Sequence, residues 1–470
     1  MRMVHRTPDT AKAQVPERTY VLRLSFPAIL ENLMATLMQI TNMLMVGGLG
    51  ASATATVAVN SAPTWVINSL MMAVGVGSTV LIAKATGARQ QKEAESVCRQ
   101  TFMLGLFSGV ALCLLTYLLA PMIPVWMHAD PSLHKDADAY MRILSIGFIP
   151  YYTGIVLSAA LRGAGDMATP MKISSIASVM NVALAFLLIY PTRQVSLLSA
   201  SFTVIGAGLG VKGAAIATAV TTSLSGIWTL TAVLRPKSRL RLHVSRLRPD
   251  FLILRALMKV GTPAALERLS ISLGQVLFIG MVSALGTVQL AAHHLVVTIE
   301  SLSYMPGYGF AAAASTLVGQ SLGAGDPLKA RLRGGLSIRL CVITMSAIGL
   351  LLFFPAQWWL SLFTPDPQVR LTGAAILRIC VLEQPATALF LVSSGALRGA
   401  GDTKAPFLIA LVSMLLRLAL TYLFIHHMNM GIQGAWWAMV ADLWVRGILT
   451  GIRFRAGRWL GASETIKSSL

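Results

Sequence analysis

Four glutamates, Glu31, Glu267, Glu300 and Glu383, lie inside long apolar stretches of a 470-residue chain. An ionisable side chain at the centre of a bilayer-spanning helix costs about 2.5 to 3.5 kcal/mol on insertion scales, so each one needs a use. The chemistry open to a carboxylate there is to take up and release a proton or to hold a cation. Glu31 comes eight residues after Arg23 and Glu267 eight after Lys259, which puts both about 12 Å inward from their helix ends at 1.5 Å per residue. Two carboxylates at equal depth would line the inner half of a cavity and attract a cation. Each also follows a proline by four residues, so the competing use is to satisfy donors freed at a helix bend. Arg268 points about 100° away from Glu267 around the helix and should not cancel it. Glu300 precedes SLSYMPGYGF, where Pro306, Gly307 and Gly309 are expected to break helical regularity beside a cavity. Glu383 precedes Gln384-Pro385. For Glu300 and Glu383 the competing use is structural hydrogen bonding.

Asp442 and Arg446, four apart, share a helix face and read as a structural ion pair. Arg417 needs a carboxylate or carbonyl partner, Glu383 being one candidate. His293-His294 and His426-His427 fall near outer helix ends, where interfacial packing is the default and pH sensing or metal binding the weaker use. Met34, Met38, Tyr304 and Tyr308 are candidate cavity-lining residues, since methionine re-packs around varied ligands. Cys98, Cys113, Cys341 and Cys380 show no CxxC spacing, so they read as packing residues and no metal site is expected.

The elements that must position these residues follow from composition. The chain is 55% hydrophobic and only 12% charged, against about a quarter charged in soluble domains. Apolar runs long enough to span a bilayer occur at about 24–46, 58–83, 100–120, 139–161, 170–190, 213–234, 256–282, 292–320, 336–355, 371–396, 405–425 and 433–452. The net charge of +20 has no polar domain to sit on, which excludes a nucleic-acid binder. Lys and Arg crowd the loops on the side of the N-terminus, while the opposite loops hold only Lys135, Arg193, Lys212 and Arg370. Both termini are therefore expected in the cytoplasm. The first apolar run lacks a signal-peptide cleavage site.

A direct repeat divides the chain. ALRGAGD occurs at Ala160 to Asp166 and again at Ala396 to Asp402, an offset of 236, which also pairs Pro27 with Pro263, Glu31 with Glu267, Gly50 with Gly286 and Gly87 with Gly323. Six helices per repeat make the halves parallel, and transporters of that build bind substrate and ions between the repeats near the midplane. The expected organisation is a cytoplasmic tail (1–23), a six-helix bundle (24–234), a basic cytoplasmic linker (235–255) held at the anionic leaflet, a second bundle (256–455) and a cytoplasmic tail (456–470). An insertion of about fifteen residues after Pro191 reads as a longer external connection. Nucleotide-binding loops, HExxH and paired catalytic groups are absent from the sequence, so no enzyme is expected and transport would run on an ion gradient.

With two six-helix halves, ALRGAGD closing the fourth helix of each, LMVGGLGA after the first helix and LVGQSLGAGD after the eighth, the chain resembles the multidrug and toxic compound extrusion (MATE) transporters from about Tyr20 to Arg455. The resemblance implies an all-α integral membrane fold of twelve transmembrane helices in two pseudo-symmetric bundles forming a V. It also implies a monomer in the bacterial inner membrane that exports amphiphilic, often cationic organic compounds in exchange for H+ or Na+, without a cofactor. Many bacterial relatives carry an aspartate in the first helix where this chain has Asn42. Asn42 offers an amide oxygen to an ion or substrate but carries no proton, so the exchanged proton is expected on Glu300 or Glu383. The alternative within the wider superfamily is a flippase for a lipid-linked substrate, which would need a strongly cationic cavity instead of four unpaired acids.

Overall fold

The computed structural model describes residues 16–197, 200–236, 238–243 and 248–461. Most of the expected tails, 1–15 and 462–470, and linker residues 237 and 244–247 lie outside the described residues. The first half contains α1 (Glu17–Gly47), α2 (Ala51–Gly87), α3 (Gln91–Leu119), α4 (Ile123–Trp126), α5 (His134–Ile146), α6 (Phe148–Gly163), α7 (Ala168–Ile189) and α8 (Gly210–Leu234). The second repeats the order with α9 (Phe251–Ser283), α10 (Thr287–Gly323), α11 (Pro327–Phe353), α12 (Ala356–Ser361), α13 (Pro367–Val381), α14 (Gln384–Ala400), α15 (Lys404–Tyr422) and α16 (Gly431–Arg455).

Among the described residues eight helices are long and apolar enough to cross a membrane, and ten if each bent pair, α5 with α6 and α13 with α14, is one span. The bends are 52° and 50° and fall at matching places in the repeat. By their place in the repeat α10 and α16 bring the second half to six spans, as many as the first. More than half of the residues of each are buried against other helices. The expected loss of regularity at Pro306, Gly307 and Gly309 does not occur, and α10 runs as one helix through them. A proline removes one backbone bond, while Gly307 lies under Leu391 and Met345 and Gly309 under Ile29, so neighbours close over the weakened turn.

The insertion after Pro191 is an antiparallel hairpin, β1 (Pro191–Leu197) with β2 (Ala200–Ala207), in which Val195 pairs with Phe202 along the backbone. Part of the linker is held on the first half. Leu240 and Leu242 are buried in the α2–α3–α6 core, Gln91 donates to the Arg239 carbonyl (2.9 Å) and Gln100 to that of Arg248 (2.8 Å).

Packing between the halves is crossed. Val21, Leu24 and Ala28 of α1 join a core made by α10, α11 and α14, while Ile253, Ala256, Leu257 and Val260 of α9 join the core of α2, α3 and α6. Farther along, Met45 and Val46 of α1 pack with α7 and α8, and Phe278 and Val282 of α9 pack with α10, α13 and α16. The halves thus share cores toward the end that carries the linker and close separate cores at the other end. Glycines make the shared end tight: a side chain at Gly77 would strike the Leu257 backbone, and one at Gly261 the Ala73 backbone.

Candidate functional site

The repeated ALRGAGD motif is where local chemistry and long-range positioning meet. Gly165 and Gly401 take positive φ (84° and 92°), which lets α6 and α14 end without a β-carbon penalty. Asp166 then accepts from the Thr169 N–H (3.0 Å) and hydroxyl (2.7 Å) at the start of α7, and Asp402 accepts from the Ala405 N–H (3.4 Å) at the start of α15. The arginine reaches back to the first helix of its own half. Arg162 Nη1 donates to both Glu31 oxygens (3.0 and 3.3 Å), and Arg398 Nη1 to both Glu267 oxygens (3.2 and 3.1 Å). Two of the four acids expected to stand unpaired therefore have arginine partners. Arg268 is not the partner of Glu267; it donates to the Tyr308 hydroxyl (3.3 Å).

The other two acids meet. Glu300 of α10 and Glu383, at the break between α13 and α14, lie with Cys380 so that one ligand-type atom of each falls within 4.8 Å of the others. All three are buried, at 6%, 1% and 0% exposure. Neither Glu383 oxygen receives a hydrogen bond. Ser303 donates to Gln384 (2.6 Å), whose amide approaches Cys380 Sγ at 3.6 Å. Two negative charges this close, in surroundings without a donor for one of them, are costly unless a proton or a cation compensates them. Tyr304 and Tyr308 continue along α10 from this pair in a T-shaped contact (6.1 Å).

Asp442 and Arg446 form the expected ion pair at 2.6 Å, 0% and 3% exposed at the side chains. Arg417 takes neither a carboxylate nor a carbonyl as its closest partner. Its guanidinium lies 4.1 Å from the Phe278 ring centroid and approaches the Met439 sulfur at 2.7 Å, a cation–π arrangement with a soft acceptor. His293 packs among Phe278, His294 and Trp436, and both His426 and His427 pack on Tyr422.

In the first half the matching region is uncharged. Asn42 Nδ2 donates to Asn181 Oδ1 (2.8 Å), and Asn181 Nδ2 donates to the Thr221 hydroxyl (3.0 Å). The Asn42 Oδ1 is left without a partner. Nearby, Met34, Leu37, Met38 and Thr41 of α1 face Val182 and Phe186 of α7 across an apolar cavity of about 560 Å³. A smaller, polar cavity of about 190 Å³ adjoins the Glu31–Arg162 pair and is lined by Ser158, Ser174 and Ser225.

The MatE family model matches residues 27–187 and 263–423, one match to each half. The chain belongs to the MatE family. Among curated relatives, this MatE chain is 29% identical over 452 residues to the probable multidrug resistance protein NorM of Thermotoga maritima, covering 95% of this chain and 94% of that one. Its fold is similar to that of a multidrug resistance MATE family transporter of the MOP superfamily solved in an outward-facing conformation, with a TM-score of 0.87, 22% identity and coverage of 96% and 97%. It is also similar to a MOP superfamily transporter from Pyrococcus furiosus, with a TM-score of 0.86, 22% identity and coverage of 96% of each chain. The reverse polarity of that protein's binding pocket suggests a different function for it.

Sequence reasoning on this MatE chain did not pair Arg162 and Arg398 with the acids. The signal was present: each arginine follows its glutamate by 131 residues in both halves.

Proposed function

We propose that this chain is a secondary antiporter that exports amphiphilic, often cationic organic compounds from the cytoplasm in exchange for protons. Glu300 and Glu383 carry the exchanged proton. The observation behind this reading is the buried pair itself: two adjoining carboxylates, one with no donor, at the break of the tenth span. A substrate cation and a proton compete for the same negative charge, which couples their opposite movements. The apolar cavity beside Met34 and Met38 supplies the hydrophobic contact, and Asn42 a neutral polar one. Both termini are cytoplasmic on the distribution of Lys and Arg, so the cores shared toward the linker leave the described state open to the outside. Each chain carries both halves and acts as a monomer. A flippase would need a cationic cavity, and Arg162 and Arg398 are neutralised by Glu31 and Glu267.

The test is proton release from detergent-solubilised protein when a lipophilic cation is added at neutral pH. The wild-type chain should release protons, and Glu300→Gln or Glu383→Gln should lower the release at least tenfold. Unchanged release in both variants would remove the pair from the mechanism. Efflux from proteoliposomes that runs on a sodium gradient and ignores a pH gradient would replace the proton by sodium.

A further inference from the structure

We infer that Arg162 is a positioning residue for the seam between the halves, tying α1, α6 and α10 at one point. Its guanidinium holds Glu31 of α1 at 3.0 Å, while its carbonyl accepts from the Thr316 hydroxyl of α10 (3.0 Å). The next carbonyl, Gly163, accepts from Gln320 Nε2 (3.1 Å). Gly87 seats against the Gln320 backbone and Gly323 against the Lys84 backbone, so the ends of α2 and α10 grip each other through matching positions of the repeat. The first turn of α1 is bound to the opposite half, where Arg333 of α11 donates to Glu17 (2.9 Å). The stretch of α1 from Glu17 to Glu31 is therefore a strut from one half to the other. The seam parts only if the strut or the Thr316 and Gln320 bonds let go.

The repeat-related pair lacks the Thr316 arm of this tie. Arg398 holds Glu267 in the same way, but Val80 stands where Thr316 does and has no donor for the Arg398 carbonyl. The surroundings differ in the same sense. The cavity of about 190 Å³ beside Glu31–Arg162 has room for about six waters at 30 Å³ each, which can solvate both charges as they separate. At the corresponding places the second half has Phe390 for Gly154 and Arg446 for Ser225, with the Arg446 guanidinium 5.1 Å from the Phe390 ring. One pair is built to open with the seam, the other to stay closed.

The test is double electron–electron resonance on the full chain in nanodiscs, with native cysteines replaced and spin labels at Gln91 and Leu328. Both are exposed and sit in the first turns of α3 and α11, on either side of the seam. Arg162→Ala and Glu31→Gln should each raise the long-distance population about fivefold, the lower end of ordinary coupling between sites. Arg162→Lys, which keeps a donor for Glu31, should restore most of the wild-type distribution. Thr316→Val combined with Gln320→Leu should produce the same rise with the ion pair intact, and it decides the matter if Arg162→Ala does not fold. An unchanged distribution in that double variant, or an equal shift in Arg398→Ala, overturns the assignment. The readout needs neither substrate nor coupling ion, so a failure of the exchange reading leaves it standing and a failure here leaves that reading untouched.

Discussion

Glu31–Arg162 and Glu267–Arg398 are one ion pair built twice, from the same motif at the same spacing, yet the two halves have put different matter around it. In the first half the neighbourhood is neutral: Asn181, Thr221, Ser225 and Gly154, with a polar cavity left open. In the second half the same places hold Arg417, Asp442, Arg446 and Phe390, charged or bulky and packed shut. The pair itself records the difference, with side-chain exposures of 23% and 19% in the first half and 14% and 5% in the second. A duplicated scaffold thus separates two tasks. One half keeps room for water next to the contact between halves, and the other concentrates buried charge around Glu300 and Glu383.

The largest expected effect comes from breaking the second half's charge network. Asp442→Ala leaves the Arg446 guanidinium, 3% exposed, without its counter-ion, and removing one member of a buried pair costs about 3 to 5 kcal/mol. Thr221→Ala, at the matching place, removes a neutral hydrogen-bonding partner of Asn181 and should cost about 1 kcal/mol. Unfolding in detergent, followed by tryptophan fluorescence, should rank the two in that order. Equal losses would mean that the charged network adds nothing beyond packing.

What the sequence disclosed and what it hid divide along physical lines. The apolar runs and the repeat located every span because hydropathy and register are local properties, and Asp442–Arg446 was legible because both residues share a helix turn. Arg162 and Arg398 were not legible as partners because Glu31 and Glu267 lie far away in the chain, and the lone feature that joins them is the constant spacing. The meeting of Glu300 with Glu383 depends on the bend between α13 and α14, which Gln384-Pro385 marks but does not aim. Arg417 went astray for another reason. A buried cation was expected to seek a carboxylate or a carbonyl, but the Phe278 ring and the Met439 sulfur surround it, a solution that charge counting does not suggest.

A middle-sized effect compares the two motif pairs directly. Glu267→Gln strands Arg398 in a site almost without solvent and should lower stability by about 3 kcal/mol. Glu31→Gln leaves Arg162 beside the polar cavity, where water can replace the lost carboxylate, and should cost about 1 kcal/mol. Thermal unfolding of the two variants in the same detergent checks the difference. If Glu31→Gln is the more damaging, the cavity does not hydrate the first-half pair, and the contrast between the halves fails at its centre.

The smallest expected effect is one hydroxyl exchanged between the halves. Ser174 lines the polar cavity in α7, and its counterpart in α15 is Ala410, fully buried. Ser174→Ala removes a group that faces a solvated space, so the waters there keep other partners and the change should stay within about 0.5 kcal/mol. Ala410→Ser brings a hydroxyl into packed surroundings. An unpaired one would cost about 1 to 3 kcal/mol, but a serine inside a helix donates to the carbonyl four residues earlier, here that of Pro406, and this bond offsets part of the penalty. The expected loss is therefore near the lower bound, about 1 kcal/mol, and still larger than that of the reverse exchange. Both variants are small enough to fold, so their unfolding midpoints can be compared under identical conditions. A Ser174→Ala loss as large as that of Ala410→Ser would show that the first-half hydroxyl is held in a packed network, and the open, water-bearing character assigned to that half would have to be withdrawn.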